Sequence, residues 1–231
     1  MNKALPGAAD AVAMIPDGAS IMVGGFGVCG VPEHLITALH ARGTRQLTII
    51  SNNAGIDDFG VGVLLRAKQI RKIIATYVGE NKEFERQFMN GELEVELVPQ
   101  GTFSERIRAG GAGIGGFFTP TAFGTLAAEG KETRVIDGRP YVFESPIRAD
   151  FAFVRARTGD RAGNLVYHRT ARNFNPVMAT AARVTIAEVE HLVEPGAINP
   201  DHVITPGIFV RHILQGERYE NRVERRTTRS T

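Results

Sequence analysis

A chain of 231 residues, 43% hydrophobic and 23% charged, is long enough for one substantial core and too evenly composed for a disordered or fibrous protein. Its net charge of +2 is too small for a nucleic-acid surface, and one cysteine, Cys29, excludes an internal disulfide framework or a paired-thiol site. The opening MNKALPGAADAVAMI breaks the apolar core of a secretory leader with Pro6, Gly7 and Asp10, so an intracellular, cytoplasmic protein in a reducing compartment is expected.

The first predicted strand covers residues 19–23. Behind it Gly25, Gly27 and Gly30 spell G-x-G-x-x-G, the spacing of a dinucleotide-binding turn. A helix follows over 32–41, with Pro32 suited to its first turn and Gly43 to its end. Two features oppose a dinucleotide. Pro32 sits too deep for a helix that starts inside the glycine turn. The second strand, 47–50, is followed by Ser51, Asn52 and Asn53, where an acid should hold the ribose. The glycines then serve either a tight turn or a loop that a ligand's phosphate or thioester carbonyl approaches closely. Because Gly24 joins the other three within seven residues, the second purpose is expected.

Further along, a helix over 61–67 leads to a strand over 73–78, a helix over 82–89 to a strand over 93–98, and PQGT to a helix over 102–109. Thr102 and Glu105 have the spacing of a capping box for the last of these helices. Later strands are predicted over 141–143, 151–155, 165–167 and 184–189, with fewer helices between them. The alternation predicts an α/β fold, a largely parallel sheet with helices on both faces. One domain over 1–215 is expected, followed by a charged and solvated tail over 216–231. Ligands of such sheets bind beyond the carboxyl ends of the strands, here the glycine loop, SNNAG and PQGT.

Several residues carry two readings. Asn52 and Asn53 suit an Asx turn before Gly55 as well as a polar site. Cys29 precedes a helix start, where a thiolate would be stabilised, but His34 lacks a visible orienting carboxylate and small-residue packing is the plainer purpose. The six histidines lack metal-ligand spacing, so no metal is expected. The glycine run of Gly110, Gly111, Gly113, Gly115 and Gly116 fits either a mobile loop or close packing.

Asp17-Gly18, then Ile21-Met22-Val23-Gly24-Gly25-Phe26, Gly30 and Pro32 match every fixed position of the first signature of the family I coenzyme A transferases. SNNAG, VPQGTFSERIRAGGAG, FFTPTAFGT and ITPGIFV resemble the same family's small subunit in the same order. The resemblance implies the family I CoA-transferase fold and a ping-pong transfer of CoA between carboxylic acids, with CoA as substrate and no cofactor. It places the nucleophilic glutamate in an S-E-N-G motif on a separate B subunit, and no S-E-N-G occurs in this chain. Glu80 and Asn81 in VGEN imitate it, but Lys82 stands where glycine is needed, and Asn81 is expected to cap a helix instead. Gly24, Gly25, Phe26, Gly27, Val28, Cys29 and Gly30 become the CoA loop, and Asn52, Asn53 and Gln100 face the acyl group as donors to its oxyanion. The stretch from Gly79 to Thr102 resembles members that use acetoacetate more than those that use 3-oxoadipate, implying succinyl-CoA and a 3-oxoacid as substrates and an α2β2 assembly with the B subunit. A non-catalytic nucleotide-binding module on the same sheet is the alternative of another class.

Overall fold

The computed structural model describes residues 2–78, 81–220 and 222. Its strands are β1 Ser20–Val23, β2 Leu47–Ser51, β3 Ile70–Ala75, β4 Glu94–Leu97, β5 Phe117–Thr119, β6 Thr133–Ile136, β7 Arg139–Glu144, β8 Ala149–Asp160, β9 Leu165–Val166, β10 Ala182–Val193 and β11 His212–Gln215. Its α-helices are α1 Ala8–Val12, α2 Glu33–Arg42, α3 Gly62–Arg66, α4 Lys82–Met89, α5 Gln100–Ala112 and α6 Asn175–Thr180. The main sheet has the order β11-β10-β8-β1-β2-β3-β4, every neighbouring pair parallel, with β9 antiparallel on β8. A smaller antiparallel sheet, β5-β7-β6, is built from the segment between α5 and β8.

The period of two along each strand distributes side chains to two cores. Ile21, Val23, Ile49, Phe151, Phe153 and Ile186 join one core with residues of α1, α2, α3 and α4. Met22, Ile50, Ala152, Val154, Ala187 and Val189 join the other with residues of α5 and α6. The expected α/β architecture, helices on both faces of a parallel sheet, is present. Strand order reverses between β1 and β8, and Gly24 N–H bonds to Phe153 O across that seam at 2.9 Å. The glycine loop therefore leaves the sheet at the topological switch point, where open α/β sheets take their ligands.

Strands β8 and β10 run longer than the expected 151–155 and 184–189, and three further boundaries differ from expectation. β3 begins at Ile70 because Arg71 and Lys72, polar and outside the apolar run, pair with Glu94 and Glu96 of the edge strand β4. It ends at Ala75, and Thr76 turns away toward the site. α5 begins at Gln100 with Pro99 as its N-cap, so Thr102 is buried inside the first turn, Glu105 pairs with Arg108, and there is no capping box. The tail is the third correction. Gly216 N–H bonds to Val189 O at 2.9 Å, the Tyr219 ring lies under the Arg155 guanidinium at 3.7 Å, and Glu220 N–H bonds to Glu33 Oε2 at 2.8 Å, so its first residues are bound rather than solvated. Gly43 ends α2 in the left-handed region at φ 75°, and Asn81 caps α4 by accepting from Phe84 N–H at 2.9 Å. Glu80 lies outside the described residues.

Candidate active site

Three strand ends meet beside the glycine loop. β2 delivers Asn52, β3 delivers Thr76, and the turn after β4 delivers Gln100 as the first residue of α5. Asn52 is buried, and its side chain is the hub: Nδ2 donates to Thr76 Oγ1 at 2.9 Å and to Gln100 Oε1 at 3.3 Å, and Oδ1 accepts from Gly27 N–H at 3.4 Å. Thr76 Oγ1–H donates back to Asn52 O at 3.0 Å. These bonds occupy the oxygen of Gln100 and so fix which face of its amide is left over. The Nε2 hydrogens of this exposed residue have no partner among the described residues. A neutral donor held by a buried amide on a rigid sheet is suited to an oxygen that gains negative charge.

Two predicted members are placed differently. Asn53 lies beside the hub in sequence, but its Oδ1 accepts from Gly55 N–H at 3.1 Å, the Asx turn, so it shapes the loop rather than joining the network. In the glycine loop, a Cβ on Gly24 would lie 1.9 Å from Asn175 Oδ1, on Gly25 2.6 Å from Val31 Cγ1, and on Gly30 2.8 Å from Ala171 O. The protein's own atoms account for these three glycines, so their number does not by itself call for a ligand. The same holds for Gly110 against Ile147 O, Gly111 against Thr180 Oγ1 and Gly116 against Phe143, each with a would-be Cβ contact near 2.1–2.2 Å. α2 starts at Glu33, past Pro32, and no acid follows β2 directly, which leaves the dinucleotide reading without support.

Phe26 and Cys29 close the loop by exchanging two 3.0 Å backbone hydrogen bonds around Gly27 and Val28. Cys29 Sγ lies 3.6 Å from Thr170 Oγ1, in the wall of a cavity of about 320 Å³ shared with His168, Arg155 and Arg222. Its neighbour is a hydroxyl and not a base. His34 is turned away, edge-on to Tyr219 with ring centroids 4.8 Å apart, and His168 Nδ1 accepts from Arg157 at 2.9 Å. Among the described residues no group of three or more His, Cys, Asp or Glu is placed to hold a metal, and no helix is long and apolar enough to cross a membrane.

Sequence reasoning passed over two residues of note. Thr76 carried a signal, a hydroxyl at a strand's carboxyl end, which the displaced boundary of β3 hid. Glu188 carried a plainer one, a carboxylate at an inward position of β10. It is fully buried, Oε2 accepts from Leu35 N–H at 2.8 Å, Oε1 has no partner among the described residues, and burial above all pushes its pKa up to about 8.

The parallel sheet with its switch-point loop is an α/β ligand-binding architecture, and the sequence gives its class: the family model for coenzyme A transferase matches residues 6–216, so the chain belongs to that family. Within it the chain is closely related to A subunits. It is 56% identical over 98% of its length to the A subunit of the probable succinyl-CoA:3-ketoacid coenzyme A transferase of Bacillus subtilis, covering 95% of that protein. With the A subunit of the succinyl-CoA:3-ketoacid coenzyme A transferase of Helicobacter pylori strain 26695 it shares 52% identity over the whole of both chains. Acyl-CoA transferase YdiF from Escherichia coli O157:H7, solved as a thioester complex with CoA, superposes with a TM-score of 0.84 at 22% identity, over 95% of this chain and 48% of YdiF. Glutaconate coenzyme A-transferase from Acidaminococcus fermentans gives 0.77 at 18% identity, over 92% and 75% of the two chains. These two likenesses establish the fold. The chain spans about half of YdiF.

Proposed function

We propose that this chain is the acyl-facing half of a cytoplasmic transferase that moves CoA from succinyl-CoA to a 3-oxoacid, acetoacetate first, in an α2β2 assembly with a B subunit that brings the nucleophilic glutamate. The names of the A-subunit relatives support the substrates, and the lack of S-E-N-G supports a second chain as source of the nucleophile. The observation that carries the reading is the Asn52–Thr76–Gln100 network beside Gly27.

The glutamate carboxylate attacks the thioester carbonyl, whose oxygen becomes an oxyanion, and the collapse expels CoA as thiolate and leaves an acyl-glutamyl anhydride. The thiolate then attacks the glutamyl carbonyl, releases succinate and forms a glutamyl-CoA thioester. Acetoacetate runs the steps in reverse and leaves as acetoacetyl-CoA. Gln100 Nε2 donates to the oxyanion, while Asn52, saturated by its own bonds, holds Gln100 in place. A neutral donor also releases the carboxylate product more readily than a bidentate arginine would. Asn53 keeps the loop shape, and Gly24 to Gly30 form the wall along which CoA approaches.

The test is reconstitution with the candidate B subunit, following acetoacetyl-CoA made from succinyl-CoA. Turnover by this chain alone would contradict the division of labour, and faster turnover of 3-oxoadipate than of acetoacetate would reassign the acceptor. In the assembled enzyme Gln100→Ala is expected to lower kcat by about 10²–10³, the usual loss for one oxyanion donor. Unchanged kcat removes Gln100 from the site.

A further inference from the structure

We propose that Asn175 is a positioning residue for the transfer reaction, one that clamps both ends of the glycine loop and through it sets the amide network. The inference rests on the reading of Asn52 and Gln100 as the acyl-facing groups. Asn175 opens α6, 145 residues beyond Gly30, and is fully buried. Its amide bonds mainly to backbone, with Asn173 Oδ1 as a further acceptor for Nδ2 at 3.2 Å. Oδ1 accepts from Arg155 N–H at 2.9 Å, and Nδ2 donates to Gly30 O at 3.1 Å and Ala171 O at 2.9 Å. That ties the loop's far end to β8, the strand next to β1 across the switch point.

The near end meets the same side chain. A Cβ on Gly24 would stand 1.9 Å from Asn175 Oδ1, so the strand exit lies directly against the amide. Asn173 reinforces the hold from a backbone at φ 23° that non-glycine residues rarely adopt, donating through Nδ2 to Cys29 O at 3.1 Å. The Phe174 ring between these two asparagines stacks parallel to Phe26 at 6.4 Å. The contacts of Asn173, Phe174 and Asn175 thus fall at the two ends of the loop and on its aromatic side chain, Phe26.

What the clamp controls is the middle. Gly27 N–H reaches Asn52 Oδ1 at 3.4 Å, close to the limit of a hydrogen bond, so a shift of a few tenths of an ångström in the loop severs it. Asn52 Oδ1 then loses its bond to the loop, and the donor to Gln100 is held in place through Thr76 alone. A misplacement of this size at a reacting centre costs rate while leaving substrate affinity largely to other contacts.

The experiment uses the complex reconstituted with the B subunit, in which Asn175→Ala, Gly24→Ala, the double variant and Gln100→Ala are compared. Asn175→Ala is expected to assemble to the parental mass and lose about 10–100-fold in kcat, with KM for succinyl-CoA within about threefold. Gly24→Ala, whose methyl group displaces the same amide from the opposite side, is expected to lose kcat in the same way. The double variant should be no worse than Asn175→Ala, because the atom that the new methyl group at position 24 would strike is gone. Should Asn175→Ala fail to assemble, Gly24→Ala alone carries the decision. A kcat within twofold of the parent in either assembled single variant, or a loss confined to KM, overturns the clamp. Those results with Gln100→Ala inactive leave the acyl site standing, whereas an active Gln100→Ala removes the site itself.

Discussion

Glu188 shows how much one residue can carry without facing a substrate. Its carboxyl sits at the start of α2, facing Glu33, His34, Arg155, Glu190 and Tyr219. Burial raises its pKa from an ordinary 4.5 to about 8, while the α2 amides and Arg155 pull the other way and Glu33 adds to the rise. A carboxyl whose folded pKa lies above its unfolded one stabilises the fold fully below about 4.5 and loses that contribution as pH rises through about 8. Urea unfolding should therefore show a stability that falls between pH 5.5 and pH 8.5 by an amount on the order of a few kcal/mol. Glu188→Gln, uncharged at both pH values, is expected to flatten the decline. An equal pH slope in the two proteins would mean that Glu188 is ionised in the folded state. At this scale the meeting of Asn52 and Gln100 was legible, because residue type and strand end coincide there. It was not legible at Asn175, whose partners lie on strands and loops far away in the chain, or at Asn53, whose amide fits a turn and a site equally well.

Elements with a clear period were the easiest to see. α4 matches its predicted span, and β1, β2 and β4 lie within a residue of theirs, because apolar runs between polar helices leave little choice of register. α1, α6, β5, β6 and β11 went unseen. All are six residues or shorter, and β6 is exposed along nearly its whole length, so tertiary pairing rather than a local pattern makes them. The small sheet is held by charge as well as pairing. Glu144 of β7 is 1% exposed and takes Lys131 Nζ at 2.7 Å and Arg106 Nε at 3.7 Å, while Arg106, on α5, also donates to Ser145 O at 2.8 Å and pairs with Glu96 of β4 at 2.9 Å. One guanidinium thus joins the small sheet, α5 and the edge of the main sheet. Arg106→Met leaves Glu144 with Lys131 alone, and the expected cost is about 3 kcal/mol, or a fall in Tm of about 6–12 °C. Thermal unfolding by circular dichroism measures it, and a Tm held within a degree or so of the parent would show that Lys131 suffices.

Across the whole molecule, the chain after β11 runs back over β10, β8 and α2 to the turn before α3. Gly216 is bonded to β10, Tyr219 packs between Arg155 of β8 and His34 of α2, and Arg222 pairs with Asp58 at 2.9 Å and lies over the Phe59 ring in the turn before α3. Charge composition made this stretch read as solvent-borne, since a lone tyrosine among charges gives no periodic signal, while its anchoring comes from cation–π contact and close fit. Gly216 shows the fit, because a Cβ there would lie 2.3 Å from Tyr219 Oη and 2.5 Å from His34 Cδ2. The hydroxyl itself is buried with no hydrogen-bond partner among the described residues. The ring and the hydroxyl should therefore act in opposite senses. Tyr219→Ala removes the ring beneath Arg155 and is expected to cost about 3 kcal/mol in urea unfolding at pH 7. Tyr219→Phe keeps the ring and removes an unsatisfied polar group, so it is expected to be neutral or slightly stabilising. A loss above about 1 kcal/mol in Tyr219→Phe would assign the hydroxyl a bond, such as a water shared with Glu188 Oε1 and His34 Nε2, the two other unsatisfied buried side-chain atoms among the described residues. A neutral Tyr219→Ala would show instead that the segment rests on the body without holding it together.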